Sequence, residues 1–231
     1  MKLVFVHGAG NTGRVWYYQT KYFADSDAVT LPNHSGDRPF TSIEQYTEWL
    51  HEYIRARGYH KPVIVGHSMG GAIAQRYALD YPSELSGLVL IATGARLRVR
   101  PDFLQAMENA LNAPPEEARR LVEPFYSRVP AGVREMIVND VVNIGVAARL
   151  NGFRCCDRFD VMDKVHLIKV PTLVISGTDD VMTPLKYARY LADKIEGARL
   201  VVIENTTHFV FLERPDEVNR AIDEFVRSLG G

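Results

Sequence analysis

Short apolar runs alternate along the chain with amphipathic segments of helical period. Alternation of this kind predicts parallel strands that are covered by helices on both faces of a sheet. We therefore expect an α/β fold with a mainly parallel sheet of about six strands. The runs that predict these strands are Leu3–Val6, Ala28–Leu31, Val63–Val65, Gly87–Ala92, Thr172–Ser176 and Leu200–Ile203.

The alternation stops between the fourth and fifth apolar runs. Residues 95–165 carry apolar side chains at helical spacing, interrupted by Pro114 and Pro130. Proline ends or kinks helices, so these positions divide the segment into several short helices. We expect a helical insertion over residues 95–165 within an α/β core formed by residues 1–94 and 166–231.

A tight turn is predicted at Gly66-His67-Ser68-Met69-Gly70, between the third strand and a helical pattern over Gly71–Leu79. A serine at such a strand-to-helix turn adopts a strained backbone conformation that exposes its hydroxyl group. Glycine on either side allows the chain to pass close to itself. The sequence therefore predicts that Ser68 is a nucleophile.

A serine nucleophile needs a base to accept its proton and an acid to orient that base. Candidates for both follow the last two predicted strands. Asp179 and Asp180 stand in the loop after the fifth strand, and His208 stands in the loop after the sixth. The chain order serine, aspartate, histidine is typical of α/β-hydrolases.

Four segments together give the chain a resemblance to the α/β-hydrolase superfamily over nearly its whole length. They are Val6-His7-Gly8-Ala9-Gly10, Gly66-His67-Ser68-Met69-Gly70-Gly71, Gly177-Thr178-Asp179-Asp180 and His208-Phe209-Val210-Phe211-Leu212-Glu213-Arg214-Pro215. The resemblance favours Asp180 as the acid, because relatives usually carry it three residues after the loop glycine. Asp179 stays open as the alternative, since two adjacent aspartates cannot be separated by sequence.

The same resemblance implies which backbone N–H groups stabilise an oxyanion. The residue after the nucleophile, Met69, is expected to supply one donor. The resemblance points to Ala9, in the loop after the first strand, for the other. It also implies that residues 95–165 form a cap above the nucleophile, and we expect some of its apolar side chains to line the substrate cavity. The candidates are Phe103, Met107, Phe125 and Met136.

Composition changes this picture little. The 231 residues suffice for one α/β domain, and a net charge of −1 gives no reason to expect nucleic acid or an anionic membrane as a partner. The two cysteines, Cys155 and Cys156, are adjacent and lack the spacing of a zinc site or a disulfide framework. No run reaches the length of a membrane span. We expect a cytoplasmic monomer or homodimer that needs no metal or organic cofactor.

The function expected from the resemblance is hydrolysis of carboxylic esters of short to medium acyl chains through an acyl-enzyme intermediate. Alternatives within the enzyme class are cleavage of a carbon–carbon bond in a 1,5-diketone, thioester hydrolysis and a hydroxynitrile-lyase reaction. An alternative from another class is a small-ligand receptor that retains the triad. The serine at position 68 disfavours dehalogenase and epoxide hydrolase chemistry, which use an aspartate nucleophile in this superfamily.

Overall fold

A computed structural model describes residues 1–34 and 40–230 of the chain. Its centre is a sheet of six parallel strands in the order β2-β1-β3-β4-β5-β6. The strands are β1 (Leu3–Val6), β2 (Ser26–Val29), β3 (Val63–His67), β4 (Gly87–Ile91), β5 (Thr172–Gly177) and β6 (Arg199–Ile203). The predicted six-stranded parallel sheet is confirmed.

The second strand begins two residues earlier than its apolar run suggests. It spans Ser26–Val29 rather than Ala28–Leu31, because its register follows β1, where Leu3 lies opposite Ser26. Since β2 is an edge strand, its first three side chains are only half-buried. Backbone pairing therefore defines this strand, and hydrophobicity marks only its end.

Helices cover both faces of the sheet. They are α1 (Tyr17–Tyr22), α2 (Ile43–Ala56), α3 (Met69–Asp80), α4 (Pro101–Asn109), α5 (Pro115–Val122), α6 (Ala131–Ile144), α7 (Val146–Arg158), α8 (Leu185–Lys194), α9 (Val210–Glu213) and α10 (Pro215–Ser228). Successive side chains of a strand point to opposite faces. Val4 accordingly joins a core with α2, α3 and α8, whereas Phe5 joins a second core with α9 and α10.

Four helices, α4 to α7, lie between β4 and β5 in the chain, and we call them the insert helices. Two of them begin at a proline, Pro101 for α4 and Pro115 for α5, where the missing N–H needs no partner. Helix α7 packs on the core that contains α3, and Leu150 and Phe153 belong to that core. The insert helices are thus anchored to the sheet domain by buried side chains.

Cys155 and Cys156 on α7 are both free and buried. Burial raises the pKa of Cys155 to about 11 and that of Cys156 further, so both thiols stay protonated at neutral pH. Within residues 1–34 and 40–230, no helix combines the length and the apolar character that a membrane crossing requires.

Candidate active site

Ser68 occupies the turn between β3 and α3 with φ 53° and ψ −115°. A non-glycine residue in this region stores about 1–3 kcal/mol of strain, which the surrounding structure must offset. The flanking glycines show why the turn can close so tightly. A Cβ atom on Gly66 would overlap the carbonyl oxygen of Gly70, and a Cβ atom on Gly70 would overlap that of Val6. Neither position tolerates a side chain without movement of the backbone.

Neighbouring strands hold this turn in place. The Ser68 N–H donates to the carbonyl oxygen of Ile91 at the end of β4 over 3.0 Å. The Thr93 hydroxyl donates to the carbonyl oxygen of Ser68 over 2.9 Å. Both contacts are buried, so the end of β4 and the residues after it fix the serine at the end of β3.

Asp180 follows β5 and is 4% exposed. One carboxylate oxygen, Oδ1, accepts from the N–H groups of Met182 and Thr183 over 2.8 and 2.9 Å. The other, Oδ2, accepts from the Thr183 hydroxyl over 2.7 Å and lies 2.9 Å from His208 Nδ1. Burial by itself would raise the pKa of Asp180, but His208 and the hydrogen bonds from Thr183 lower it to about 2. The carboxylate is therefore ionised at neutral pH.

Asp179 points to a different partner. Its carboxylate accepts from Arg128 Nη1 over 2.8 Å, and this hydrogen bond lowers the pKa of Asp179. Arg128 lies between α5 and α6 and also donates to the carbonyl oxygen of Asn205. The structure thus brings Asp180, and not Asp179, to His208.

His208 follows β6 and is 5% exposed. With Nδ1 directed at Asp180, Nε2 takes part in none of the hydrogen bonds found among the described residues. The backbone carbonyl of His208 accepts from His67 Nε2 over 3.0 Å. Burial, followed by the effect of His208, lowers the pKa of His67 well below its usual value. A neutral His67 thereby links β3 to the loop that carries His208.

Ser68 and His208 line the same cavity, which has a volume of about 430 Å³. Among the predicted cavity residues, Phe103 and Phe125 line it as well. Met107 is placed elsewhere, in a separate apolar cavity of about 70 Å³ between the insert helices. Met136 packs against the second core and is absent from the described lining of both cavities.

The loop Gly8–Gly10 borders Ser68 in an adjoining recess. Neither the Ala9 N–H nor the Met69 N–H donates a hydrogen bond to any part of the chain that the structure describes. Buried backbone donors without a partner are uncommon in proteins. Both donors therefore lack an acceptor in the described part of the chain, and Ala9 lines the recess beside Ser68.

Two buried histidines fix this loop. His7 Nε2 accepts from the Leu31 N–H over 3.0 Å, so its Nδ1–H donates to the carbonyl oxygen of Gly8. His34 Nε2 accepts from the Gly10 N–H over 3.1 Å. Burial lowers the pKa of both rings, which keeps these nitrogens free to accept.

Sequence reasoning missed three residues of this region: His34, Thr183 and Arg149. The contacts of His34 and Arg149 join positions far apart in the chain, so no local pattern could identify these two residues. A threonine three residues after Asp180 is the only sequence signal that could have been noticed. In the described part of the chain, no group of three His, Cys, Asp or Glu side chains is arranged to hold a metal ion.

The parallel sheet, the strained serine turn and the buried Asp180–His208 pair define an α/β-hydrolase architecture. The sequence profile of the alpha/beta hydrolase family matches residues 3–221, and the chain belongs to this family.

Similar proteins include several that act on esters. A thermophilic esterase of known structure is 31% identical and aligns over 99% of this chain and 90% of its own, with a TM-score of 0.84. Monoacylglycerol lipase ABHD6 of Homo sapiens is 25% identical over 256 residues, which cover 98% of this chain and 75% of the lipase. The pimeloyl-[acyl-carrier protein] methyl ester esterase of Neisseria meningitidis is 27% identical, over 87% of this chain and 68% of the esterase.

Proposed function

We propose that this protein hydrolyses carboxylic esters of short to medium acyl chains, with Ser68 as nucleophile, His208 as base and Asp180 as the acid that orients it. The observation that carries the proposal is the buried hydrogen bond between Asp180 and His208, on the wall of a cavity that Ser68 also lines. A base that is oriented in this way beside a serine on a strained turn is the arrangement that acyl transfer requires.

The reaction then has two steps. His208 Nε2 accepts the Ser68 proton as the hydroxyl oxygen attacks the ester carbonyl carbon, and the alcohol leaves with that proton. The resulting acyl-serine ester is cleaved by water, which His208 deprotonates in the same way. Asp180 stabilises the imidazolium that forms in each step, and its pKa of about 2 keeps it ionised throughout.

The Ala9 and Met69 N–H groups are proposed to bind the oxyanion of each tetrahedral intermediate. Both lack an acceptor among the described residues, and His34 fixes the loop that contains Ala9. Donors that are fixed before the reaction stabilise the developing charge without reorganisation, and loss of one donor in a comparable site costs about 2.7–4 kcal/mol of barrier.

Residues 95–165, which contain the insert helices, are proposed to form a cap that shapes the acyl-binding part of the cavity. Support comes from Phe103, Ala106, Phe125 and Phe153, which lie in this segment and line the cavity together with Ser68. These four apolar side chains suit an acyl chain, and Arg98, Arg100 and Asp102 add charged groups to the same lining.

The esterases and the lipase among the similar proteins favour ester hydrolysis over carbon–carbon bond cleavage, thioester hydrolysis and lyase chemistry. Because one fold hosts many reactions, this preference needs a direct test. The cytoplasmic location and the choice between monomer and homodimer stay predictions, to be checked by cell fractionation and light scattering.

The test is a panel of p-nitrophenyl esters of increasing acyl length, measured beside a 1,5-diketone and an acyl thioester. We expect turnover of the shorter esters and none of the diketone. An organophosphate should label Ser68 with one equivalent and abolish activity. Diketone cleavage without esterase activity, or wild-type ester turnover by Ser68→Ala, would overturn the proposal.

A further inference from the structure

Arg149 on α7 lies directly against the loop that carries Ala9. Its aliphatic stem packs on Gly10, where an added Cβ atom would lie 2.6 Å from Arg149 Cγ. One turn further along the helix, Gly152 makes a similar approach, and a Cβ atom there would lie 2.9 Å from the Ala9 Cβ. Helix α7 therefore places an arginine beside the candidate oxyanion donors.

The guanidinium group of Arg149 lies in the candidate active site. Its central carbon is 5.3 Å from the ring centre of Phe125 and 5.7 Å from that of Phe153, two rings that line the main cavity. Arg149 also lines the adjoining recess together with Ser68 and His208. The arginine is 7% exposed, so it is a buried cation close to the reacting groups.

No carboxylate in the described part of the chain pairs with the Arg149 guanidinium group. Among the residues that the structure describes, the Arg149 side chain takes part in no ion pair and no hydrogen bond. Its guanidinium group makes cation–π contacts with the two aromatic rings. Other arginines of the same segment behave differently. Arg119 pairs with Glu135, and Arg154 on the same helix pairs with Glu108.

A buried charge without a counter-ion is unfavourable. Burial lowers the pKa of Arg149, yet a guanidinium stays charged at any physiological pH. Contact with aromatic rings offsets part of the cost but satisfies none of the five N–H donors. A small planar anion that enters the site would supply the partner that the described residues do not.

We propose that Arg149 binds a free carboxylate of the substrate, so that the preferred ester carries a second, ionised carboxyl group. The inference rests on the proposed function, since it assigns the substrate class of the same site. A carboxylate matches the guanidinium fork with two parallel hydrogen bonds. The recess that Arg149 shares with Ser68 has a volume of about 20 Å³, so a group that binds there must be small.

The kinetic test compares three esters that differ in charge and in its position. They are p-nitrophenyl butyrate, the p-nitrophenyl monoester of glutarate, and 4-carboxyphenyl butyrate, which carries the carboxylate on the leaving group. Arg149→Met keeps the aliphatic stem and removes the charge. Arg154→Met, an exposed arginine on the same helix, is the matched control.

For Arg149→Met we expect kcat/KM to fall about 10- to 100-fold on one of the two anionic esters, mainly through KM, because hydrogen bonds to a charged group are lost. The neutral ester should change less than threefold. The anionic ester that responds identifies whether the carboxylate belongs to the acyl or the alcohol part. Equal losses on neutral and anionic esters, or no loss on either anionic ester, would overturn the proposal.

A binding measurement separates this proposal from the esterase proposal. Monomethyl glutarate is titrated into Ser68→Ala by calorimetry, with uncharged dimethyl glutarate as the control ligand. We expect binding of the monoester only, weakened at least tenfold by Arg149→Met. If the monoester binds but the wild type turns over no ester, the esterase assignment is wrong and the carboxylate site stands. If the wild type turns over p-nitrophenyl butyrate but the monoester does not bind, the carboxylate site is wrong and the esterase assignment stands.

The melting temperature of Arg149→Met provides a check on folding. Since the variant removes a buried charge that has no counter-ion, its melting temperature should equal or exceed that of the wild type. A clear decrease would mean that Arg149 stabilises the fold through its aromatic contacts, and would count against a ligand-binding role.

Discussion

Arg128 Nη1 donates to the carboxylate of Asp179 over 2.8 Å, and this contact turns Asp179 away from the site that its neighbour occupies. Asp180, one residue further on, is 2.9 Å from His208 Nδ1. Two adjacent residues of the same type therefore have opposite surroundings: one belongs to an exposed ion pair, the other to a buried hydrogen-bond network.

This difference predicts unequal effects of the two amide substitutions. Asp180→Asn should lower kcat by about 10⁴-fold, the loss seen when the acid of a comparable triad is amidated. Asp179→Asn should change kcat less than threefold, because exposed ion pairs contribute little. Steady-state kinetics on p-nitrophenyl butyrate, with circular dichroism to verify folding, provides the test. The reverse order of effects would assign the acid to Asp179.

The glycines at the serine turn should tolerate no side chain. In Gly70→Ala the new methyl group would overlap the carbonyl oxygen of Val6, which belongs to β1 and has no room to move. We expect loss of several kcal/mol of stability, seen as a large decrease in melting temperature or as failure to fold. Gly132→Ala on α6 is the control, since nothing lies within 4 Å of its added Cβ, and it should be neutral or slightly stabilising. Similar melting temperatures for the two variants would contradict the tight turn.

Buried neutral histidines should make the protein less stable in mild acid. Burial lowers the folded-state pKa of His34 below the ordinary value of 6.5, so the unfolded chain binds a proton that the native protein does not. The free energy of unfolding therefore falls as the pH decreases below about 6.5.

His34→Gln isolates one of these contributions while retaining an acceptor for the Gly10 N–H. Urea unfolding of this variant should show a smaller decrease in the free energy of unfolding between pH 7 and 5.5 than the wild type shows. Between pH 7.5 and 8 the free energies of unfolding of the two proteins should change with pH in the same way, because the histidine is neutral there in both the folded and the unfolded chain. An unchanged difference across the acid range would mean that His34 has the same pKa in the folded and the unfolded chain, which would contradict the prediction.

The cap proposal predicts that only some apolar residues of the insertion control substrate choice. Phe103→Ala and Phe125→Ala should shift the acyl-length preference by about 10- to 200-fold, since both rings line the cavity with Ser68. Met107→Ala and Met136→Ala should leave the length profile unchanged, because neither side chain reaches that cavity in the described structure. The profile is measured as kcat/KM from acetate to decanoate esters. Identical profiles for all four variants would assign acyl selection to the sheet domain.

The sequence by itself determined the parts that depend on local pattern. Alternating apolar runs identified the parallel sheet, and glycines around Ser68 identified the turn, because both are properties of short stretches of chain. The order of the candidate residues followed from the order of the strands. The predicted range of the edge strand β2 was wrong by two residues, because this strand is defined by its pairing with β1 and not by its hydrophobicity.

Only the tertiary structure decided which side chains meet. Asp179 and Asp180 are equivalent by pattern, and they separate because Arg128, some fifty residues away, pairs with one of them. Phe103 and Met107 share a helix and an apolar character, yet only Phe103 lines the cavity that contains Ser68. Arg149 looks like an ordinary surface arginine in the sequence, and its burial beside Ser68 arises from the packing of α7 on Gly10. These relationships join distant segments, so they depend on the packing of the whole fold and leave no signal in a local stretch of sequence.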